Sequence, residues 1–402
     1  MIATGYLPYT FSENLCNAKL VYALQEAGVD VDVISRADEG LSYHKEWEKQ
    51  WLPLKPNSYE VIYSVGNKLS RFLDYTYSGY KMHYRGYGVR WARRAYQKAL
   101  SLIKENHYDA VLTRSPSSIS HLVGMRLKKR TGIKWVANWN DPIDALWPEP
   151  LTSRMSEHEK KREIAFTNIL LNSADIISFP ADSLRQYFIK YFPSLKYKQT
   201  EVIPHIGLSE QLFFRKTHQN GQVLRLCHSG NLVDVRDPEL LFRAMRELID
   251  KGIDCFHLDI MGRTDDDKKR ALEHYCLQKY VNIGYGYPYF EAIDHLQDYD
   301  ALVLLEGMYD NGIFFASKIT DYVQTGKPIF AISPKTGFAA SLIAEHGGGI
   351  AVDNRDYDEI KNGLIKLIEL WKHQQLERLS STNIYSLFSP QKVISQYLSI
   401  IN

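Results

Sequence analysis

Hydrophobic positions in this chain come in blocks. Short apolar runs bounded by polar or glycine positions recur, with longer amphipathic stretches between them. The short runs read as strands buried on both faces, and the amphipathic stretches as helices that cover the resulting sheet. Residues 1–4 form such a strand. A helix over 14–28 follows, with Leu15, Ala18, Val21, Tyr22 and Leu24 turned inward and Gly28 closing it. A second strand covers 29–34. Further strands are predicted at 108–113, 134–138, 175–179 and 200–204, with helices from 117, over 156–174 and over 181–191. From 223 the same order restarts. Strands fall at 223–228, 256–261, 281–284, 301–305, 329–332 and 350–352. Helices fall before Gly252, near 289–296, over 317–326 and 356–371, and at 389–401. Strand, helix, strand repeated in this way predicts an α/β protein built on parallel sheets.

The restart also divides the chain. Residues 1–207 form one Rossmann-like domain, 208–222 a polar, irregular linker, and 223–384 a second Rossmann-like domain. Residues 385–402 form a C-terminal helix expected to pack back toward the first domain. A chain of 402 residues is too long for one ordinary core, which supports two. Residues 41–93 resist this reading: they are rich in Tyr, Trp, Lys and Arg and show no clean period.

Composition narrows the function class. A net charge of +2 gives no argument for nucleic acid. The four cysteines are far apart, with no C-x-x-C pair, which fits free thiols in a reducing compartment. No basic segment leads into an apolar leader, and no apolar run approaches the roughly 20 residues that span a bilayer. The chain is therefore expected in the cytoplasm. Residues 80–98, YKMHYRGYGVRWARRAYQK, interleave basic and aromatic side chains. They read either as a face for an anionic membrane and a lipid-linked acceptor, at the inner face of the cell membrane, or as a solvated helix whose aromatics pack inward.

Three places carry candidate chemistry. Residues 302–334 read as strand, glycine-containing loop, helix and strand. Ser317 and Lys318 lie at the helix start, where free backbone N–H groups can meet an anion beyond the sheet's carboxyl edge. Asp141 ends the strand that runs into Asn138-Trp139-Asn140-Asp141-Pro142, with Trp139 and Trp147 beside it. A carboxylate there can orient or deprotonate a hydroxyl or simply serve the turn before Pro142, and the indoles can stack on a sugar or belong to the core. The loop after the first strand, TGYLPYTFSEN, has no G-x-G-x-x-G and so no dinucleotide fingerprint. Its Tyr9 and Thr10 are candidates for the acceptor side. Asp265-Asp266-Asp267 and Asp298-Tyr299-Asp300 mimic a metal-binding D-x-D. The first reads instead as a polar helix start, and the second as the lead-in to a buried strand. His121, His205 and His228 sit in apolar contexts and read as satisfied histidines.

Several fragments together resemble the GT-B glycosyltransferases, and within them the family-four (group 1) retaining enzymes. They are HSGNLVDVRDPELLFRAM, LDIMGR, VNIGYG, ASKITDYVQTGKPIFAISP, EVIPHIGL and, in the first half, DAVLTRSPSSISHLVGMRLKKRTGIKWVANWNDP. The resemblance implies two Rossmann-like domains facing a central cleft. It also implies transfer of a sugar, with retention, from a nucleoside diphosphate sugar to a hydroxyl of a glycan or lipid-linked acceptor, as in bacterial surface polysaccharide synthesis. No metal or other cofactor is implied. On this resemblance Gly230 matches the donor-motif glycine, Asn231 stands at the first of two basic positions, and Arg236 keeps the second. Arg236 and Lys318 would hold the diphosphate. Gly262, Arg263 and Tyr285 would lie near the base, and Asp321 would hold the ribose. Ile313 stands where the family has a glutamate for the donor sugar. Two other readings stay open: a non-hydrolysing sugar-nucleotide epimerase, and an inactive protein that holds a nucleotide sugar or glycan.

Overall fold

The computed structural model describes all residues except 9–10, 38–56, 63–65, 152, 210–211, 213–220, 311 and 402. The described residues divide into two compact units. The first comprises Met1–Trp147, Ser153–Ile206 and Pro390–Asn402, and the second Pro148–Thr152 and Gly207–Ser389.

The first unit is built on β1 (Ile2–Ala3), β2 (Asp32–Ala37), β3 (Asn57–Ile62), β4 (Ala110–Arg114), β5 (Lys134–Asn138), β6 (Ile176–Phe179) and β7 (Thr200–Val202). They form one parallel sheet in the order β3-β2-β1-β4-β5-β6-β7. Its helices are α1 (Ser12–Glu26), α2 (Lys68–Met82), α3 (Val89–Glu105), α4 (Ile119–Thr131), α5 (Glu157–Ser173) and α6 (Asp182–Tyr191). A capping box starts α5: Ser156 accepts from the Glu159 N–H while the Glu159 side chain takes the Ser156 N–H.

The second unit carries β8 (Leu224–Ser229), β9 (Phe256–Met261), β10 (Val281–Gly284), β11 (Ala301–Leu305), β12 (Ile329–Ser333) and β13 (Gly349–Asp353). Its order is β10-β9-β8-β11-β12-β13, again all parallel. The helices are α7 (Glu239–Asp250), α8 (Asp266–His274), α9 (Tyr289–Leu296), α10 (Lys318–Thr325), α11 (Phe338–His346), α12 (Tyr357–Lys372) and α13 (Thr382–Phe388). Every residue of β11 and β12 is buried, as continuous apolar runs in a doubly covered sheet require. Phe242, Met245, Leu258, Ile260, Val303, Phe330, Leu364 and Ile368 belong to its core.

The last helix, α14 (Pro390–Ile401), belongs to the first unit. Val393, Ile394, Tyr397 and Ile400 pack with Leu20, Leu24, Leu112, Val136, Ile176 and Ile203. Lys134 Nζ donates to the Ile401 carbonyl at 3.0 Å.

The stretch 80–98 divides between its two readings: Trp91 packs inward, while Tyr80 and Tyr87 are exposed. It spans the end of α2, a turn and most of α3. Trp91, Ala92 and Ala95 are buried, and the Trp91 indole donates to the Ser35 carbonyl at 3.3 Å. The aromatic-basic interleaving therefore belongs to two helices, and α3 turns its aromatic inward. Asp265 stands at the start of α8, and Asp300 takes the Arg225 N–H at 2.7 Å just before β11.

Candidate active site

In an open parallel sheet, loops after neighbouring strands diverge where the strand order reverses, and ligands enter there from the carboxyl edge. In the second unit that point lies between β8 and β11. β8 runs out through Ser229 into Gly230, and β11 through Leu305 into Glu306.

Gly230 and Gly262 meet backbone to backbone. Gly230 donates its N–H to the Met261 carbonyl at 2.8 Å. A Cβ on Gly262, whose φ is +158°, would sit 2.4 Å from the Gly230 oxygen. A Cβ on Gly230, at φ +133°, would sit 2.3 Å from Lys318 Nζ. Only glycine has the freedom for these angles, and only glycine leaves room for the ammonium.

Lys318 opens α10, preceded by Ser317. Its Nζ lies 3.4 Å from His228 Nε2. His228 Nδ1 lies 2.9 Å from the Val303 carbonyl, which can only accept. Nδ1 therefore carries the ring proton, and Nε2 faces the ammonium as an acceptor. Burial, then Lys318, hold the imidazole neutral far below its usual pKa.

The carboxylate of Glu306 completes this cluster. Burial pushes it up to about 7, while Arg236 and Lys318 pull it down. Burial also pushes Lys318 down to about 7; Arg236 adds to that, and Glu306 opposes it. Two cations and one carboxylate thus lie within electrostatic reach of one another beside a helix N-terminus. Loop contacts hold them there: Met308 donates its N–H to the Val235 carbonyl at 3.2 Å, and Asn354 Nδ2 donates to the Gly307 carbonyl at 3.0 Å.

Glu306 was not among the residues expected from sequence. A lone carboxylate ending the run ALVLL was the available signal. Asp321 lies in the first turn of α10, where its Oδ1 accepts the Tyr289 phenol. Asn231 Oδ1 takes the Arg263 N–H at 3.0 Å, so its amide ties two loops together. Tyr285 is 95% exposed and Arg263 is also exposed. Ile313 is 4% exposed, in a loop where Phe315 stacks on Phe338 at 4.0 Å. An apolar residue at 313 therefore anchors the loop that follows β11.

In the first unit the reversal lies between β1 and β4. Thr4 Oγ1 donates to the Pro116 carbonyl at 2.8 Å. A cavity of about 330 Å³ opens there, lined among others by Arg36, Tyr87, Trp91, Ser117 and Asp144.

Beside it lies a buried polar cluster. Arg114 Nε stands 3.4 Å from Glu13 Oε1, and one of its amino groups donates to the Tyr397 hydroxyl at 3.1 Å. Asn140 Nδ2 donates to Glu13 Oε1 at 2.8 Å. Burial pushes Glu13 up to about 7; Arg114 opposes this and Asp141 adds to it. Asp141 is half-buried and close enough to Glu13 to bias its proton. Burial, then Arg114 and Lys19, push His205 down to about 3. His121 bonds Thr113 at 2.7 Å within the core.

Trp139 is a correction. It is 1% exposed and packs its ring 4.2 Å from His121 and 5.3 Å from Phe188, so it serves the core and offers no face to a sugar. Trp147 is half-buried and donates to Asp144 at 3.3 Å. Tyr9 and Thr10 lie outside the described residues.

Two family models match the chain in tandem. Glycosyltransferase Family 4 matches residues 17–206, and Glycosyl transferases group 1 matches residues 209–382. No curated protein matches in sequence. Solved structures do match in fold. Sucrose-phosphate synthase of Thermosynechococcus elongatus is 15% identical, with 99% of this chain and 97% of that one covered, at a TM-score of 0.69. Anabaena HepE, solved with UDP and glucose, is 13% identical over 99% and 98%, at 0.68. S. aureus TarM, solved with Fondaparinux, alpha-GlcNAc-glycerol and UDP, is 8% identical over 100% and 99%, at 0.68. With a Rossmann-like sheet in each unit and both halves matched by the paired models, the chain belongs to the group 1, family 4 glycosyltransferases of GT-B fold.

Proposed function

We propose that this glycosyltransferase moves a hexose from a nucleoside diphosphate sugar to a hydroxyl of a glycan or lipid-linked acceptor, with retention, in the building of a bacterial surface polysaccharide. The observation that carries the donor half is the charge cluster of Arg236, Lys318 and Glu306 beside the N-terminus of α10. Guanidinium and ammonium groups at a helix start match a diphosphate in charge and hydrogen-bond geometry. HepE, a fold neighbour, was solved with UDP and glucose, which supports a UDP-hexose as the first donor to test.

In this reading the acceptor oxygen forms a bond to the anomeric carbon as the bond from that carbon to the diphosphate oxygen breaks. The electron pair leaves with the diphosphate, where Arg236 and Lys318 offset its charge. The acceptor proton goes to the departing phosphate oxygen, so no metal or strong protein base is needed. Asp141 orients the acceptor hydroxyl, and the cavity at Thr4, Arg36 and Ser117 receives the acceptor. Asp321 holds the ribose. With Ile313 buried, Glu306 is the carboxylate left to meet the donor sugar.

The test is turnover of UDP-hexoses with and without glycan acceptors, with product configuration read by NMR. Transfer with retention is the expected result, and Arg236→Ala lowers donor kcat/KM by roughly 10- to 100-fold, the size of one or two lost charge-assisted hydrogen bonds. Conversion of donor without acceptor would establish the epimerase instead. UDP binding with no turnover of any donor would leave the holding protein.

A further inference from the structure

Helix α2 turns an apolar stripe outward. Leu69, Phe72, Leu73, Tyr77 and Tyr80 are 68, 64, 59, 50 and 71% exposed. At 3.6 residues per turn they fall within an arc of about 140°. The opposite side does the packing. Ser78, Gly79 and Met82 are buried, and Asp74 takes Arg93 at 3.0 Å and Arg94 at 2.7 Å. A surface helix ordinarily shows water its polar side. One exposed leucine or phenylalanine is unremarkable, but five large side chains at helical spacing mark a surface that something covers.

The charges on α2 decide what. Lys68 and Lys81 flank the stripe at its two ends and both are exposed, whereas Arg71 turns to the other side and donates to the Gly66 carbonyl at 2.8 Å. The helix has one acidic residue, Asp74, which faces inward and is held by two arginines. The Lys81 ammonium lies 5.6 Å from the Tyr77 ring and 5.9 Å from the Tyr80 ring, at the edge of the stripe. Exposed His83 and Arg85 follow. Two copies paired through α2 would set these lysines against each other with no outward carboxylate on α2 to offset them. An anionic lipid surface complements them. Leucine and phenylalanine enter the acyl boundary, tyrosine phenols stay at headgroup level, and lysines reach out to phosphate.

We infer that α2 is a docking helix that lies in the headgroup boundary of an anionic bilayer, with Leu69, Phe72, Leu73, Tyr77 and Tyr80 inserted and Lys68 and Lys81 on the lipid phosphates. Among the described residues no helix is long and apolar enough to cross a membrane, so the attachment is peripheral. This assignment is independent of the transfer reaction.

Sedimentation of the full chain with extruded phosphatidylcholine vesicles, with and without phosphatidylglycerol, tests it. The protein is expected to pellet with the anionic vesicles and to be released by salt. The double variant Phe72→Ser/Leu73→Ser is expected to bind at least tenfold more weakly, from the apolar area withdrawn. Lys68→Ala and Lys81→Ala are each expected to lose about fivefold, since one basic residue near such a surface is worth about 1 kcal/mol. Thermal melting should be unchanged in all three, which separates lost docking from lost folding. Failure to pellet at low salt, equal binding to neutral vesicles, or undiminished binding of the double variant would overturn the proposal. So would a wild-type dimer in analytical ultracentrifugation that the double variant converts to monomer, which would give the stripe to a second copy.

Discussion

Lys318 Nζ stands 3.4 Å from His228 Nε2, and the histidine's other nitrogen is committed to the Val303 carbonyl. The imidazole can therefore relieve the ammonium only as a neutral acceptor. Lys318 is left poised, with burial and Arg236 pushing its proton off near pH 7 and Glu306 holding it on.

Diphosphate binding should consequently take up a proton. In the free site Lys318 loses its proton as pH rises through about 7. A bound diphosphate raises that pKa by its charge. Affinity is then greatest below 7 and falls above it, by up to about tenfold per pH unit until the bound-state pKa is reached. Calorimetry with UDP in buffers of different ionisation enthalpy should show uptake at pH 8, and Lys318→Met should reduce both the uptake and the slope, leaving the part that Glu306, itself pushed up to about 7, contributes.

Glu306→Gln should move that profile. Glu306 raises the Lys318 pKa, so its removal shifts the inflection below 7. UDP binding at pH 6 should stay within about threefold. Transfer should fall at least tenfold, as expected when a charge-assisted hydrogen bond to the donor sugar is lost. Comparing UDP affinity with donor kcat/KM at each pH checks this, and loss of both together would make Glu306 a structural residue.

The two glycines behind the charge cluster should fail in different ways. A Cβ on Gly230 meets the tip of a flexible lysine, whereas one on Gly262 meets the Gly230 backbone. Gly230→Ala, at a φ of +133°, should lose some stability to backbone strain and lose donor binding as well, but with only a flexible side-chain tip to displace. Gly262→Ala should lower the unfolding free energy by about 2 kcal/mol or more, since backbone must shift and the angle is strained. Urea unfolding set beside UDP affinity separates the two.

In the first unit, Arg114→Met should cost roughly 3 to 5 kcal/mol, because it leaves the Glu13 carboxylate buried beside Asp141 without its guanidinium. The burial that raises Glu13 means the native state binds a proton that the unfolded state has already released. Stability therefore falls as pH rises from about 4.5 to about 7, and in the variant, where no guanidinium lowers the Glu13 pKa, the fall continues above 7. Adding Glu13→Gln should recover much of the loss. Unfolding at pH 5 and pH 8 reads both effects.

Much of the fold was legible because buried parallel strands are written as unbroken apolar runs. The predicted bounds of β5, β9, β10, β11 and α9 coincide with those observed. The stretch 41–93 was not legible where it is described. β3 is a largely exposed edge strand, so no apolar run marks it. α2 carries its apolar residues on the outside, so the usual inference from stripe to core points the wrong way. Gly230, Arg236, Ser317 and Lys318 are candidates through the resemblance and the strand-to-helix grammar, and the structure brings Gly230 beside Lys318. Glu306 was passed over because the family's spacing directed the search to position 313. There, a side chain buried in the loop had taken the place of one that reaches a ligand. Trp139 misled because position at the end of a strand says nothing about which way a side chain turns.

The return of α14 to the first unit sets an order of assembly. Leu20, Leu24, Leu112 and Val136 are made early, yet the residues that cover them, Val393, Ile394, Tyr397 and Ile400, are made after the whole second unit. During synthesis the leading half must wait with an apolar seam open while nearly two hundred residues are added behind it. A growing chain would ordinarily finish its first domain first; here the second sheet can close before the first is sealed. The two units are accordingly inseparable by a cut at 207, since the leading piece would lack its own last helix.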